Sequence, residues 1–373
     1  MKASRLSWID YARGLAIILV CYRHVFEGSK EAGIPVGDYN FLEYLNIFLY
    51  SFRMPLFFII SGLFITRSLT KKGLGQYIEN RARTILYPYF VWGALQLTLQ
   101  MIFTKYTNGH PTASSYLNLL YQPRECAQFW YLYALFNVSL LYALSKYFLK
   151  IPAVYNILIG IVFFYLSSLI YQQNIPTGFV FDILHYYIFF AIGDFLSSYL
   201  LDEKNYKHFE SGKLLLLILA PFGAGQIYFL LENLNHTTSK YMYVEYYQPF
   251  IFLLIAIMGC VFIINLTFYL QKKNILKWLT VLGRNSLYIY VSHVIVFAFA
   301  RIVLSKFLGI HNVAIIILSG MLSGLLVPLF LYRLAVKLNM RWIFTLEKEP
   351  ESKKKAPADK GSGSVTPAYE IKK

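Results

Sequence analysis

The residues able to do chemistry crowd into one apolar stretch, WIDYARGLAIILVCYRHVFEG, which carries Asp10, Arg13, Arg23 and His24. Ionisable groups inside a membrane-length run are costly, so each is a candidate for function. On a helix, eleven residues turn roughly 1,100°, about 20° past three full turns, so Arg13 and His24 share a face and lie about 16 Å apart along the axis. Asp10, three residues before Arg13, is placed to pair with it. Arg23 points to another side and is expected to snorkel to the outer surface. A guanidinium at one end can hold an anionic donor, and an imidazole further along can act as a base. The plainer reading is an Asp10–Arg13 ion pair and a His24 hydrogen-bonded between helices.

Other candidates follow along the chain. SFRMPLFFIISGLFI holds Arg53 and Pro55 before Ser61-Gly62. The proline breaks a helix ladder or marks a re-entrant start, and Ser61-Gly62 allows close approach by a helix or a ligand. Arg81 and Arg83 in ENRARTILYPYF read either as topology signals or as forks for phosphate oxygens. Trp130 in FWYLYALF suits an interfacial aromatic belt or a sugar-stacking surface. Asp182, His185 and Asp194 fall on one expected helix. Nine residues turn His185 and Asp194 to opposite sides, so they do not form one site there. His293 in LGRNSLYIYVSHVIV sits in mid-span, as hydrogen-bonding glue with Asn285 and Ser286 or as a site residue. There is no P-loop, HExxH or GxSxG pattern, and Cys21, Cys126 and Cys260 are not spaced as a metal site.

These residues must be positioned by elements suited to lipid. Of 373 residues, 57% are apolar and 14% charged, against about 25% charged in soluble domains. That composition excludes a disordered chain, a collagen and a disulfide scaffold. About ten spans can be drawn, over 8–26, 45–69, 85–103, 129–147, 153–171, 181–201, 214–231, 247–270, 286–307 and 313–334. Lipid satisfies no open backbone group, so an all-α polytopic membrane protein is expected. The net charge of +16 does not point to nucleic acid, because the basic residues lie in short loops. One set of loops holds Arg67, Lys71, Lys72, Arg81, Arg83, Lys204, Lys207, Lys272, Lys273 and others, and the opposite set holds only Lys30, Lys105, Arg124, Lys240 and Lys306. The positive-inside rule makes the first set cytoplasmic, and with ten spans both termini are cytoplasmic. Residues 1–340 form the membrane domain on this reading, and 341–373 a polar, disordered tail.

The ordered set of motifs resembles the acyltransferase family 3 membrane proteins. DYARGLAIILVCYRH resembles their first helix, with an Arg and a His in matching places, and RMPLFFIISGLF resembles their second block. RARTILYPYF, FWYLYALF and LGRNSLYIYVSH resemble later blocks in the same order, with the flavour of the fucose 4-O-acetylase-like branch. The resemblance implies an inner-membrane O-acyltransferase of about ten helices that moves an acyl group, usually acetyl, from cytoplasmic acetyl-CoA (acyl-CoA) to a sugar hydroxyl of a polysaccharide or lipid-linked glycan. It implies acyl-CoA as co-substrate, no permanently bound cofactor and no metal. Arg13 and His24 would be the essential pair, with Asp10 as partner of Arg13. Arg53, Ser61, Gly62, Arg81, Arg83, Trp130 and His293 would serve donor or acceptor binding. The family's basic pair is often spaced RxxR, whereas this chain has RxR at Arg81 and Arg83. The alternative is a glycan or lipid transporter whose pathway is the same polar stripe.

Overall fold

The computed structural model describes residues 6–236 and 241–346. Among them there are helices and no strand. In chain order the α-helices are α1 (Ser7–Glu31), α2 (Asn40–Phe48), α3 (Arg53–Gly62), α4 (Ile65–Arg81), α5 (Tyr87–Ile102), α6 (Ser115–Tyr121), α7 (Trp130–Tyr147) and α8 (Ala153–Gln172). They continue with α9 (Phe179–Leu200), α10 (Tyr206–Phe209), α11 (Gly212–Asn235), α12 (Tyr243–Tyr247), α13 (Pro249–Lys273), α14 (Trp278–Arg284), α15 (Ser286–Ile302) and α16 (Val313–Lys337). Nine segments among the described residues are long and apolar enough to cross a membrane. The protein is an all-helical, polytopic membrane protein.

α1 is too charged to count among those nine, yet it runs 25 residues without a break. Its position explains how it tolerates its charges. Trp8, Ala12, Ile17, Cys21 and Phe26 are fully buried, and α1 touches α3, α13, α14, α15 and α16. It is the central helix, and Asp10, Arg13, Arg23 and Glu27 line cavities within the bundle. The outer helices carry the lipid-facing surface. On α16, Leu318, Leu322, Leu326 and Phe330 are exposed at intervals of four, a continuous apolar stripe. Water would penalise such a patch, whereas hydrocarbon does not.

Two expectations are corrected here. The span drawn over 45–69 is not one helix: turns at 49–52 and 63–64 divide it into α2, α3 and the start of α4. Arg53 opens α3, with Pro55 two residues later in its first turn, where a missing N–H costs little. The tail does not leave the bundle at 341. Arg341–Ile343 forms a short helical turn, and the buried Phe344 packs on Trp92, Tyr288 and Tyr332. Trp92 Nε1 donates to the Ile343 carbonyl at 2.9 Å. The rest of the expected tail lies outside the described residues.

Candidate active site

Two cavities open along α1, one at each end. The first, about 900 Å³, is lined by Arg23, His24 and Glu27 of α1, with Tyr50, Arg53, Arg124, Trp130, Tyr186, Glu245, Tyr290 and Arg301 from other elements. The second, about 1050 Å³, is lined by Asp10 and Arg13 with Arg67, Asp202, Glu203 and Lys204. Arg13 and His24 therefore share a helix but not a cavity. Eleven residues of helical rise, about 16 Å, separate them.

The His24 cavity has a connected polar wall. Arg23 Nε lies 3.2 Å from Glu27 Oε1, and Asn46 Nδ2 donates to that oxygen at 3.1 Å. Arg53, buried, donates to Asn46 Oδ1 at 3.1 Å and to the Leu19 carbonyl at 3.3 Å. Both guanidiniums lie 5.2 Å from the Tyr50 ring. The Tyr50 hydroxyl donates to Glu245 Oε2 at 2.8 Å, and Glu245 Oε1 lies 3.1 Å from His185 Nε2. His185 Nδ1 is 3.0 Å from the Ser167 hydroxyl. Burial works against the Glu245 charge, but the His185 hydrogen bond, then the Arg124 charge and the Tyr50 hydroxyl, hold its carboxyl below the ordinary glutamate range. On the facing wall Arg124 Nε donates to the buried Asp182 Oδ1 at 2.8 Å and lies 5.0 Å from the Trp130 ring. An imidazole beside two fixed guanidiniums can take a proton while the cations stabilise a developing oxyanion.

His24 itself is partly exposed to this cavity. Its nearest ring neighbour is His293, with ring centroids 5.2 Å apart. His293 is fully buried and stands behind His24 rather than on the cavity wall.

The Arg13 cavity brings three cations, Arg13, Arg67 and Lys204, beside three carboxylates. Asp10 Oδ2 is 3.2 Å from Arg284 Nε, an interhelical ion pair with α14. Helix crossing fixes this end of α1. A Cβ on Gly14 would stand 2.2 Å from the Leu279 carbonyl oxygen, and one on Gly283 would stand 1.7 Å from that of Asp10. Only glycine lets α1 and α14 approach so closely. An aromatic cluster borders the His24 cavity. Tyr290 lines the His24 cavity and meets Tyr131 at 5.2 Å. Tyr131 packs on Phe57 and Phe58.

The remaining sequence candidates divide. Arg53 and Trp130 line the His24 cavity, as does Arg23, which joins its polar wall instead of snorkelling away. Arg81 and Arg83 line neither cavity. Arg81 Nε donates to the Tyr77 hydroxyl at 3.1 Å, and Arg83 pairs with Glu79 at 2.7 Å on an exposed face. Ser61 and Gly62 line neither cavity. They sit where α3 crosses α9, with a Cβ on Gly62 2.1 Å from the Phe190 carbonyl oxygen. His185 and Asp194 go to separate clusters, as their angular spacing requires: Asp194 takes Lys146, Thr66 and Tyr142. Sequence reasoning missed Glu27, Tyr50 and Glu245. A lone acid inside the tyrosine-rich YMYVEYYQPF was the available signal for Glu245.

Comparison with known proteins gives this geometry a family. An acyltransferase domain matches residues 6–333, nearly the whole described chain. The chain belongs to acyltransferase family 3. Nodulation protein NolL of Mesorhizobium japonicum (strain LMG 29417 / CECT 9101 / MAFF 303099) is 32% identical over 91 residues, 24% of this chain and 24% of that protein. The match thus spans about a quarter of that relative's length. No solved structure gives a significant match. The helical bundle described above is therefore built on an acyltransferase domain. α1, which carries Arg13 and His24, contributes lining residues to both cavities.

Proposed function

We propose that this acyltransferase moves an acyl group, acetyl in the first instance, from cytoplasmic acyl-CoA to a sugar hydroxyl of a cell-surface polysaccharide or lipid-linked glycan. The observation that carries the reading is the arrangement along α1. At the Arg13 end, two guanidiniums and an ammonium, those of Arg13, Arg67 and Lys204, offer donors to the phosphates of a polyphosphate donor, in a cavity whose three carboxylates balance their charge. The cavity at the other end combines His24, four guanidiniums, Arg23 and Arg53 among them, and the Trp130 side chain, a lining that suits a polyhydroxyl acceptor. The loop charges support this orientation: by the positive-inside rule they favour the Arg13 end on the cytoplasmic side, with acyl-CoA, and the His24 end on the outer side of a bacterial inner membrane.

In this reaction His24 takes the proton of the acceptor hydroxyl as its oxygen bonds to the acyl carbon. Arg23 and Arg53 stabilise the tetrahedral oxyanion. The carbon–sulfur bond then breaks, and the thiolate leaves with the proton from His24 as free CoA. Arg13, supported by Asp10, holds the donor. An acyl-histidine on His24 is the covalent variant of the same step.

The test is the O-acyl content of the surface glycan, by mass spectrometry, in a deletion strain complemented with wild type or with His24→Ala. Wild type is expected to restore a mass increment that also names the acyl group, and His24→Ala to restore none at equal protein level. Equal restoration by both would remove His24 from the mechanism. No difference between the deletion and wild type would point instead to transport or to another acceptor.

A further inference from the structure

His293 is fully buried, and its two nitrogens have different surroundings. Nδ1 lies 2.8 Å from the Tyr290 carbonyl oxygen and 3.0 Å from that of Ile289. A carbonyl oxygen only accepts, so Nδ1 must carry the ring proton. Nε2 is then a bare lone pair. It is buried and has no hydrogen-bond partner among the described residues. A buried acceptor without a donor is a standing cost, so a lone pair kept there calls for a donor.

The neighbouring ring able to supply one is His24. Its centroid is 5.2 Å from that of His293, with the rings tilted by 57°. Two imidazoles joined nitrogen to nitrogen have centres about 5 Å apart, one hydrogen-bond length plus the reach of each ring. The separation thus matches that of a hydrogen-bonded pair, and the step to it is a turn of the His24 ring about its own side-chain bonds. No hydrogen bond among the described residues holds His24 elsewhere.

We propose that His293 is a positioning residue for His24: its Nε2 accepts the N–H of His24 and so fixes His24 in the tautomer whose other nitrogen faces the cavity as a lone pair. The base of an acyl transfer needs a third group to choose its tautomer. A carboxylate in this role would place a charge at mid-span, and a neutral imidazole held by backbone carbonyls avoids that. His293 touches no substrate on this assignment, in keeping with its place behind the cavity wall.

The experiment uses the full chain in lipid nanodiscs with 15N-labelled histidine, the His24 and His293 signals being assigned from His24→Asn and His293→Gln. Wild type should show His293 protonated at Nδ1 only and His24 as a single tautomer. His293→Phe keeps the bulk but offers no acceptor, so His24 should become a mixture of tautomers. His293→Gln presents a carbonyl oxygen and should keep the single tautomer. Acyl transfer should follow, with kcat down about ten- to a hundredfold in His293→Phe, by analogy with the range for losing the outer hydrogen-bond partner of a metal-ligating imidazole. Its KM for acyl donor should be unchanged, and His293→Gln should restore most of kcat. Unchanged His24 signals in His293→Phe would overturn the proposal. So would a wild-type His293 protonated at Nε2, which decides the matter even if His293→Phe does not fold. The activity arm rests on the acyl-transfer reading, whereas the tautomer arm does not. A protein that transfers no acyl group but shows the expected tautomers would refute that reading and leave the His24–His293 pair standing.

Discussion

Adding one methyl group at Gly62 separates a packing role from a substrate-binding role. The family block that contains Ser61-Gly62 invites the second, and the structure favours the first. A Cβ at Gly62 would stand 2.1 Å from the Phe190 carbonyl oxygen, and real Cβ contacts do not fall below 3.0 Å. The obstacle is backbone, which cannot swing aside. Gly62→Ala must therefore part α3 and α9 by at least about 0.9 Å, an overpacking that costs about 1–3 kcal/mol. The reciprocal position behaves alike, since a Cβ on Gly193 would meet the Ile59 carbonyl oxygen at 2.1 Å. One separation relieves both clashes, so Gly62→Ala with Gly193→Ala should cost less than the sum of the two singles. Thermal unfolding in detergent, followed by size exclusion, should show each single variant melting several degrees lower. Acyl transfer per folded molecule should stay within a few-fold of wild type. A Gly62→Ala protein that melts like wild type but transfers nothing would refute the packing argument and return Gly62 to the substrate.

Three further outcomes follow from the site and its supports. Asp194→Ala leaves the Lys146 ammonium without its carboxylate and should cost about 3 kcal/mol, whereas Asp194→Leu with Lys146→Met should cost less; a double variant less stable than Asp194→Ala would contradict this. Glu245 has its pKa lowered in the folded protein, so its contribution to stability is fully present above the ordinary glutamate pKa and is lost as pH falls through the lowered value. Unfolding measured from neutral pH downward should therefore show an acid-side loss in wild type that is shallower in Glu245→Gln, and identical curves would remove Glu245 from the acid response. Arg53→Lys keeps the charge but loses the planar fork onto Asn46 and Leu19, so transfer should fall about a hundredfold with little loss of folded yield. Wild-type transfer by Arg53→Lys would leave Arg53 a purely structural part.

The sequence shows most of the architecture, because runs of apolar residues and the closed backbone of lipid leave little choice but helices. It shows the polar stripe of α1 for the same reason. It misplaces the second span, because a hydropathy window averages across the turns at 49–52 and 63–64. It treats Arg23 and His24 as diverging, since neighbours on a helix point about 100° apart. The cavity is wide enough to collect both, and that width is set by other helices. Glu245 and Tyr50 come from separate segments, 195 residues apart, that meet only after folding. Arg81 and Arg83 show the opposite error. Their residue type suits phosphate, but Tyr77 and Glu79 on the same helix engage them locally.

The separation of Arg13 from His24 constrains any mechanism that needs both. A donor whose phosphates rest near Arg13 must deliver its acyl carbon about 16 Å along α1 to meet the imidazole. Coenzyme A has the required form, because its pantetheine arm sets the thioester far from the phosphates. On the proposed reaction the arm would reach the His24 cavity, whose wall includes Tyr290, in contact with Tyr131 at a ring-centroid distance of 5.2 Å. Tyr290 belongs to α15, as does His293, and its carbonyl accepts from the His293 ring. A movement of Tyr290 as the arm enters would therefore also be felt by the ring that faces His24. On the proposed reaction, entry of the acyl arm and orientation of the base are linked through one turn of α15, so a residue that changes one should change the other.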